Sequence, residues 1–176
     1  QSAESPENLR WKLGPVLFLS LNVPGPNNNF GMGRTAKPEY LERTPHVIDW
    51  IKQGFALARR EESAGIVIVM QGNPAFQHFA AGLGHSGFRD LLEALLQETL
   101  GFPGQVLLIH GDTHWHRIDK PLRDRASGRR VENFTRLETF GYPIMGWAKV
   151  IIDTESPSLF RFESHSYTPA PIAEQR

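Results

Sequence analysis

The stretch VLLIHGDTHWHRIDKPL, residues 106–122, brings three of the chain's seven histidines and two aspartates to the end of one apolar run. A carboxylate and an imidazole two residues apart on a turn, as at Asp112 and His114, can aim at one point in space, the arrangement that a divalent cation requires. A Gly-Asp-Thr sequence also closes ordinary turns, with the aspartate as an Asx cap and His114 at the surface. Strand alternation from Ile109 sends His110 and His116 in different directions, which places His110 nearer the turn and leaves His116 and Arg117 at its rim. A guanidinium in that position, Arg117, suits a phosphate oxygen.

Two other strand ends carry polar residues. NNNFGMG, residues 27–33, offers the amides of Asn27, Asn28 and Asn29 as donors suited to an anion, although Asn-Gly loops also form plain turns. QGNP, residues 71–74, adds Gln71 and Asn73, both weak ligands for a transition metal. GLGHSGF, residues 82–88, imitates a nucleophile elbow, but Phe88 replaces the last glycine and no strand leads into it. Ser86 is therefore expected to be a helix N-cap with Asp90 in the first turn.

These strand ends must be held by regular elements. VLFLSLNV, residues 16–23, GIVIVM, residues 65–70, and QVLLIH, residues 105–110, are short, β-branched or leucine-rich runs that predict strands, the second buried on both faces. Between them, Thr44 as N-cap and Pro45 at the first position predict a helix running to about Glu62, with Val47, Ile51, Phe55 and Ala58 on its apolar face. Phe88, Leu91, Leu92, Leu95 and Leu96 predict a second helix over residues 86–100. Two strand-helix-strand units imply an α/β fold with mostly parallel strands joined by crossover helices, their carboxyl ends on one side, where ligands of open α/β sheets gather. After Arg130 strand-like segments follow one another without helices, so an antiparallel group is expected to finish the domain. RDRASGRR, residues 123–130, reads as a mobile polar loop.

Composition narrows the function. With 176 residues, 40% hydrophobic and 22% charged, the chain suits one globular domain, expected over residues 15–165 with an N-terminal segment 1–14 and a tail 166–176. Lys+Arg and Asp+Glu both number 19, so no basic field draws nucleic acid, and HWHR is too short for a stacking platform. The absence of cysteine excludes thiolate catalysis and sulfur-rich metal sites. The apolar runs fall short of the roughly 20 residues needed to span a bilayer, so a soluble chain is expected. The opening QSAESPENLRW lacks an initiating Met and a signal-like apolar region, which reads as processing or truncation.

VLLIHGDTHWHR resembles the closing Gly-His-x-His motif of calcineurin-like metallophosphoesterases, with Gly111, Thr113 and His114 matching and Asp112 where the first histidine stands. The order of elements from about Leu9 to Glu163 is similar to the second half of such a domain. Gln71, Gly72 and Asn73 occupy the region of a metal-binding histidine, and the family's Asp-x-His, Gly-Asp and Gly-Asn-His motifs are expected N-terminal to everything matched here. The resemblance implies half of a metallophosphoesterase sandwich and a divalent metal, Mn, Zn or Fe, held by Asp112 and His114; the position of His110 on the strand makes it the candidate third ligand. It implies a two-metal hydrolysis of a phosphate ester in which Asp112 and His114 are the catalytic pair, and the amides of Asn27, Asn28 and Asn29 and the Arg117 guanidinium are then the groups expected to contact substrate. A further N-terminal segment or a partner chain is then expected to complete the site; the alternative is a non-catalytic binding or structural subunit of the same ancestry.

Overall fold

The computed structural model describes residues 5–31, 35–83 and 86–167, so the tail beyond Tyr167 and parts of NNNFGMG and GLGHSGF lie outside the described residues. The chain folds as β1 (Arg10–Leu13), β2 (Val16–Ser20), a single turn at Asn27–Asn29, α1 (Pro38–Arg60), β3 (Gly65–Val69), α2 (Phe76–Ala80), α3 (Arg89–Leu100), β4 (Gln105–His110), β5 (Arg117–Asp119), β6 (Phe134–Glu138), β7 (Gly146–Ile152) and β8 (Phe160–Ser166). Six strands form one sheet in the order β1-β2-β3-β4-β6-β5, and β7 and β8 form a separate antiparallel pair. As expected, β2, β3 and β4 are parallel neighbours, with Val16 opposite Gly65 and Gly65 opposite Gln105.

Period-two alternation builds the core on both faces of this sheet. Leu17, Leu19, Ile66, Ile68, Val106 and Leu108 face α1 and α3 in one cluster. Val16, Val67, Leu107 and Leu137 face the other way, against Val150, Ile152, Phe160 and Phe162 of the β7–β8 pair. Three layers result: helices, sheet, hairpin. The apolar face read for α1 is correct, since Val47, Ile51, Phe55 and Ala58 are all buried, as are Leu91, Leu92, Leu95 and Leu96 of α3.

Several boundaries differ from expectation. The first helix begins at Pro38, with Lys37 in the N-cap position, and Pro45 lies inside it. Pro38 and Pro45 each suit the first position of a helix, and although only Thr44 is a capping residue, burial of Tyr40, Arg43 and Thr44 extends the helix to the earlier proline. Ser86 is not the N-cap of α3; Phe88 holds that position, and Ser86 closes the preceding turn by accepting the Phe88 N–H at 3.2 Å on its hydroxyl. Residues 10–13, expected in the N-terminal segment, pair with β2 as an antiparallel strand. The segment after Arg130 is not wholly antiparallel, because β6 runs parallel to β4. Residues 111–133 carry the chain back without a helix, and β5, within that return, pairs antiparallel with β6. A crossover lacking helical periodicity left no signal to read. RDRASGRR is closed on itself, with the Gly128 N–H donating to the Asp124 carbonyl at 2.8 Å and Arg125 paired to Glu93.

Phe55 is fully buried and meets the Phe102 ring edge-to-face at 5.6 Å between α1 and the end of α3. Truncation there leaves a cavity that helices packed on a sheet cannot close, so Phe55→Ala is expected to cost about 3–5 kcal/mol, read as a lower urea midpoint at unchanged m-value.

Candidate functional site

β4 ends at His110, and the next residues turn sharply. Asp112 has φ of 81° and His114 φ of 61°, left-handed conformations that cost a non-glycine residue about 1–3 kcal/mol each. Asn27, Asn28, Asn29 and Ala75, at the ends of β2 and β3, also have positive φ, so six of the eight such non-glycine residues among those described gather at this edge of the sheet. Asparagine tolerates that region best, which explains a run of three.

The three strand ends converge on the Asp112 carboxylate. Asn73 N–H donates to Asp112 Oδ2 at 3.1 Å, and the Asn73 side-chain amide donates to Thr113 Oγ1 at 3.3 Å. Gln71 accepts the Gly25 N–H on its side chain, and its carbonyl accepts the Gly111 N–H at 3.1 Å. Gly25 packs so closely on the Asp112 carboxylate that a Cβ would collide with both oxygens. Here the glycine is required by close approach, not by φ. An open cleft of about 440 Å³ lies beside the turn, with Asn27, Asn73, His78, Ser86, Asp112 and Thr113 on its walls.

Beneath the turn lies a buried polar cluster. Glu138, at the end of β6 and wholly buried, is registered opposite His110. Its carboxylate accepts from the Thr113 hydroxyl and from Arg117 Nε and Nη2, both at 2.8 Å. Its backbone carbonyl accepts from His116 Nδ1–H at 2.8 Å. Arg136, also fully buried, is paired to Asp119 through Nε at 2.7 Å.

The expected site residues separate in this arrangement. Asp112 and His114 stand at the turn. His114 Nδ1–H donates to the Tyr142 carbonyl at 2.8 Å, which fixes the tautomer and leaves Nε2 with its lone pair, as in imidazoles oriented to bind a cation. His110 does not join them: it shares the helix-facing side of β4 with Val106 and Leu108, is buried, and bonds Gly111 carbonyl through Nδ1 at 3.0 Å. Burial holds its pKa below the ordinary imidazole value. Arg117 is committed to Glu138 and does not present its guanidinium to the cleft. Asn28 is buried, bonding the Gly87 carbonyl and Arg43, and Asn29 bonds Glu39 and Lys37; only Asn27 of the three lines the cleft. Those amides hold the loop together. Sequence reading missed Gly25, which carries no side-chain signal, and Glu138, although FTRLE placed two charged residues on the same alternating face as Phe134.

Among the described residues no group of three or more His, Asp or Glu side chains is placed to hold a metal ion. A carboxylate and a neutral imidazole are chemically suitable donors, but two of them do not fit a complete dinuclear centre. Among the described residues no helix is long and apolar enough to cross a membrane. Compared with protein-family models, curated proteins and solved structures, the chain matches none.

Two outcomes are expected from the buried cluster. Glu138→Ala removes the acceptor of Thr113 and Arg117 and is expected to destabilise the fold by about 3 kcal/mol in chemical denaturation. His110 is disfavoured as a cation by burial, so the unfolded chain takes up a proton that the folded chain refuses. Its contribution is complete above the ordinary value near 6.5 and is lost as pH falls below it. Unfolding free energies of wild type measured against pH should therefore fall below about pH 6.5 more steeply than those of His110→Gln, by up to about 1.4 kcal/mol per pH unit.

Proposed function

We propose that this chain is part of a metal-dependent phosphoesterase, supplying Asp112 and His114 as two donors of a cation site whose remaining donors come from another segment or a partner chain. The convergence of three strand ends on the Asp112 carboxylate, in a rim of left-handed non-glycine residues, is the observation that carries this reading. Strain of that kind persists only where the surroundings over-determine it, and it gathers at binding and catalytic sites. The Gly-Asp-Thr-His sequence and its resemblance to the closing motif of calcineurin-like metallophosphoesterases name the chemistry. In this reading Asn73 and Gly25 orient the Asp112 carboxylate, the Tyr142 carbonyl orients His114, and the cleft beside them receives the phosphate ester with the Ser86 hydroxyl as a neutral polar group, while the Asn27 amide is held by the Gly87 N–H and the Gly31 carbonyl.

Calorimetric titration with Mn²⁺ or Zn²⁺ tests the donors, together with turnover of bis(4-nitrophenyl) phosphate. The isolated chain is expected to bind one ion weakly, at least tenfold more weakly in the Asp112→Asn, His114→Ala double variant, and to leave the diester at its background rate, because each missing ligand returns the cation to water. Binding that survives the double substitution, or no binding at all, would remove the donor assignment and leave the non-catalytic reading. Tight uptake of two ions with turnover would show the donor set to be complete within these residues.

A further inference from the structure

The Asp112–His114 turn separates two cavities of opposite character. On the Asp112 side lies the polar cleft already described. On the His114 side lies a second pocket of about 330 Å³, lined by His114, Trp115, His116, Phe140 and Ile144. No Lys, Arg, Asp or Glu is among these five residues. The volume lies in the range of small-molecule sites, which are concave, mostly apolar and formed before the ligand arrives.

Its walls are fixed. His116 is held at both ring nitrogens, by the Glu138 carbonyl and by Ser164 Oγ, each at 2.8 Å. Its ring lies against Phe140 with centroids 3.9 Å apart and an interplanar angle of 18°, so the two form one flat wall. His114 is held by the Tyr142 carbonyl. Trp115 stands between the two histidines with 73% of its surface exposed, and Ile144 is 57% exposed. The indole is thus an open ring face lining the same pocket as the flat His116–Phe140 wall, available for stacking.

We infer that this pocket binds a neutral, planar aromatic group, and that this group is one substituent of the phosphate ester acted on at the Asp112–His114 turn. The second half of that statement rests on the phosphoesterase reading; the first does not. The occupant is neutral because none of the five lining residues is a Lys, Arg, Asp or Glu that would pair with a charge. It is planar because the His116–Phe140 wall and the Trp115 indole offer ring faces, for which offset stacking adds about 0.5–1.5 kcal/mol per pair beyond burial. It belongs to the substrate because the two cavities are adjacent along one turn: Asp112 and Thr113 line the polar cleft and the next three residues, His114 to His116, line this pocket, so an ester seated over the turn sends one arm to each side. A nucleobase and a simple aryl group share this chemistry.

Phosphate-free probes separate the pocket from the metal donors. The full chain labelled with ¹⁵N at the tryptophan indoles is titrated with adenosine, with 4-methylphenol and with cyclohexanol as a non-planar control. Saturable movement of the Trp115 indole resonance with adenosine or the phenol, but not cyclohexanol, is expected. Response to adenosine alone identifies a nucleobase, to the phenol alone a simple aryl group, and to both the shared planar chemistry. Trp115→Ala and Ile144→Asn change exposed side chains and leave the core intact, so both are expected to fold. With resonances of His116 and Phe140 as reporters, each variant should bind the responding probe at least tenfold more weakly. Cyclohexanol binding as well as the planar probes, no saturable shift, or affinity unchanged in both variants would overturn the inference. So would sedimentation showing that Trp115→Ala abolishes self-association while no probe binds, because the face then belongs to a second copy. Aromatic binding without cation binding at Asp112 and His114 would retain the pocket and reject the phosphoesterase.

Discussion

A buried carboxylate with all its attractions committed is the constraint from which the strand-end face of this molecule hangs. Glu138 is wholly removed from water at the end of β6, where an ionised side chain costs several kcal/mol unless its oxygens are fully engaged. Thr113, Arg117 and, through the backbone carbonyl, His116 engage this one residue. All three belong to the chain that leaves β4, so the path from Gly111 to Arg117 cannot shift without stranding the carboxylate. The left-handed conformations of Asp112 and His114 are tolerated on that account. The parallel pairing of β6 with β4 is part of the same arrangement, since it brings Glu138 level with His110.

Much of the fold was legible because burial leaves a periodic trace. The runs VLFLS, GIVIV and QVLLIH are apolar on both faces and form the sheet interior, and the leucines of α3 repeat at helical spacing. Elements without such a trace were not read. β1 and β5 are short and mostly exposed, α2 has five residues, and the return from β4 to β6 has neither helical nor strand periodicity over most of its length. Two proline-led start signals lay seven residues apart at Pro38 and Pro45, and only the packing of Tyr40 and Arg43 decides between them.

The site was legible as a place but not as a set of partners. HGDTH marks a strand end that turns, and the structure brings Gln71, Asn73 and Asp112 together there. Side-chain direction is another matter. His110 lies two residues from Asp112, yet the pleat turns it toward the helices, and Arg117 and Asn28 face inward to groups distant in sequence. A polar residue near a strand end has two destinations, solvent or a buried partner, and the identity of that partner is fixed by register between strands that no local pattern records.

The short outer strands have a consequence for assembly. β1, with four residues, and β5, with three, are the two margins of the six-stranded sheet, and each carries charge: Lys12, paired to Glu61 at 2.8 Å, on one, and Arg117 and Asp119 on the other. Ladders this short and this charged are poor templates for strand addition, the means by which sheets avoid growing into fibres. Backbone pairing at these two margins is therefore disfavoured, and a second polypeptide meeting this sheet would do so at a face, where side chains rather than backbone groups decide recognition.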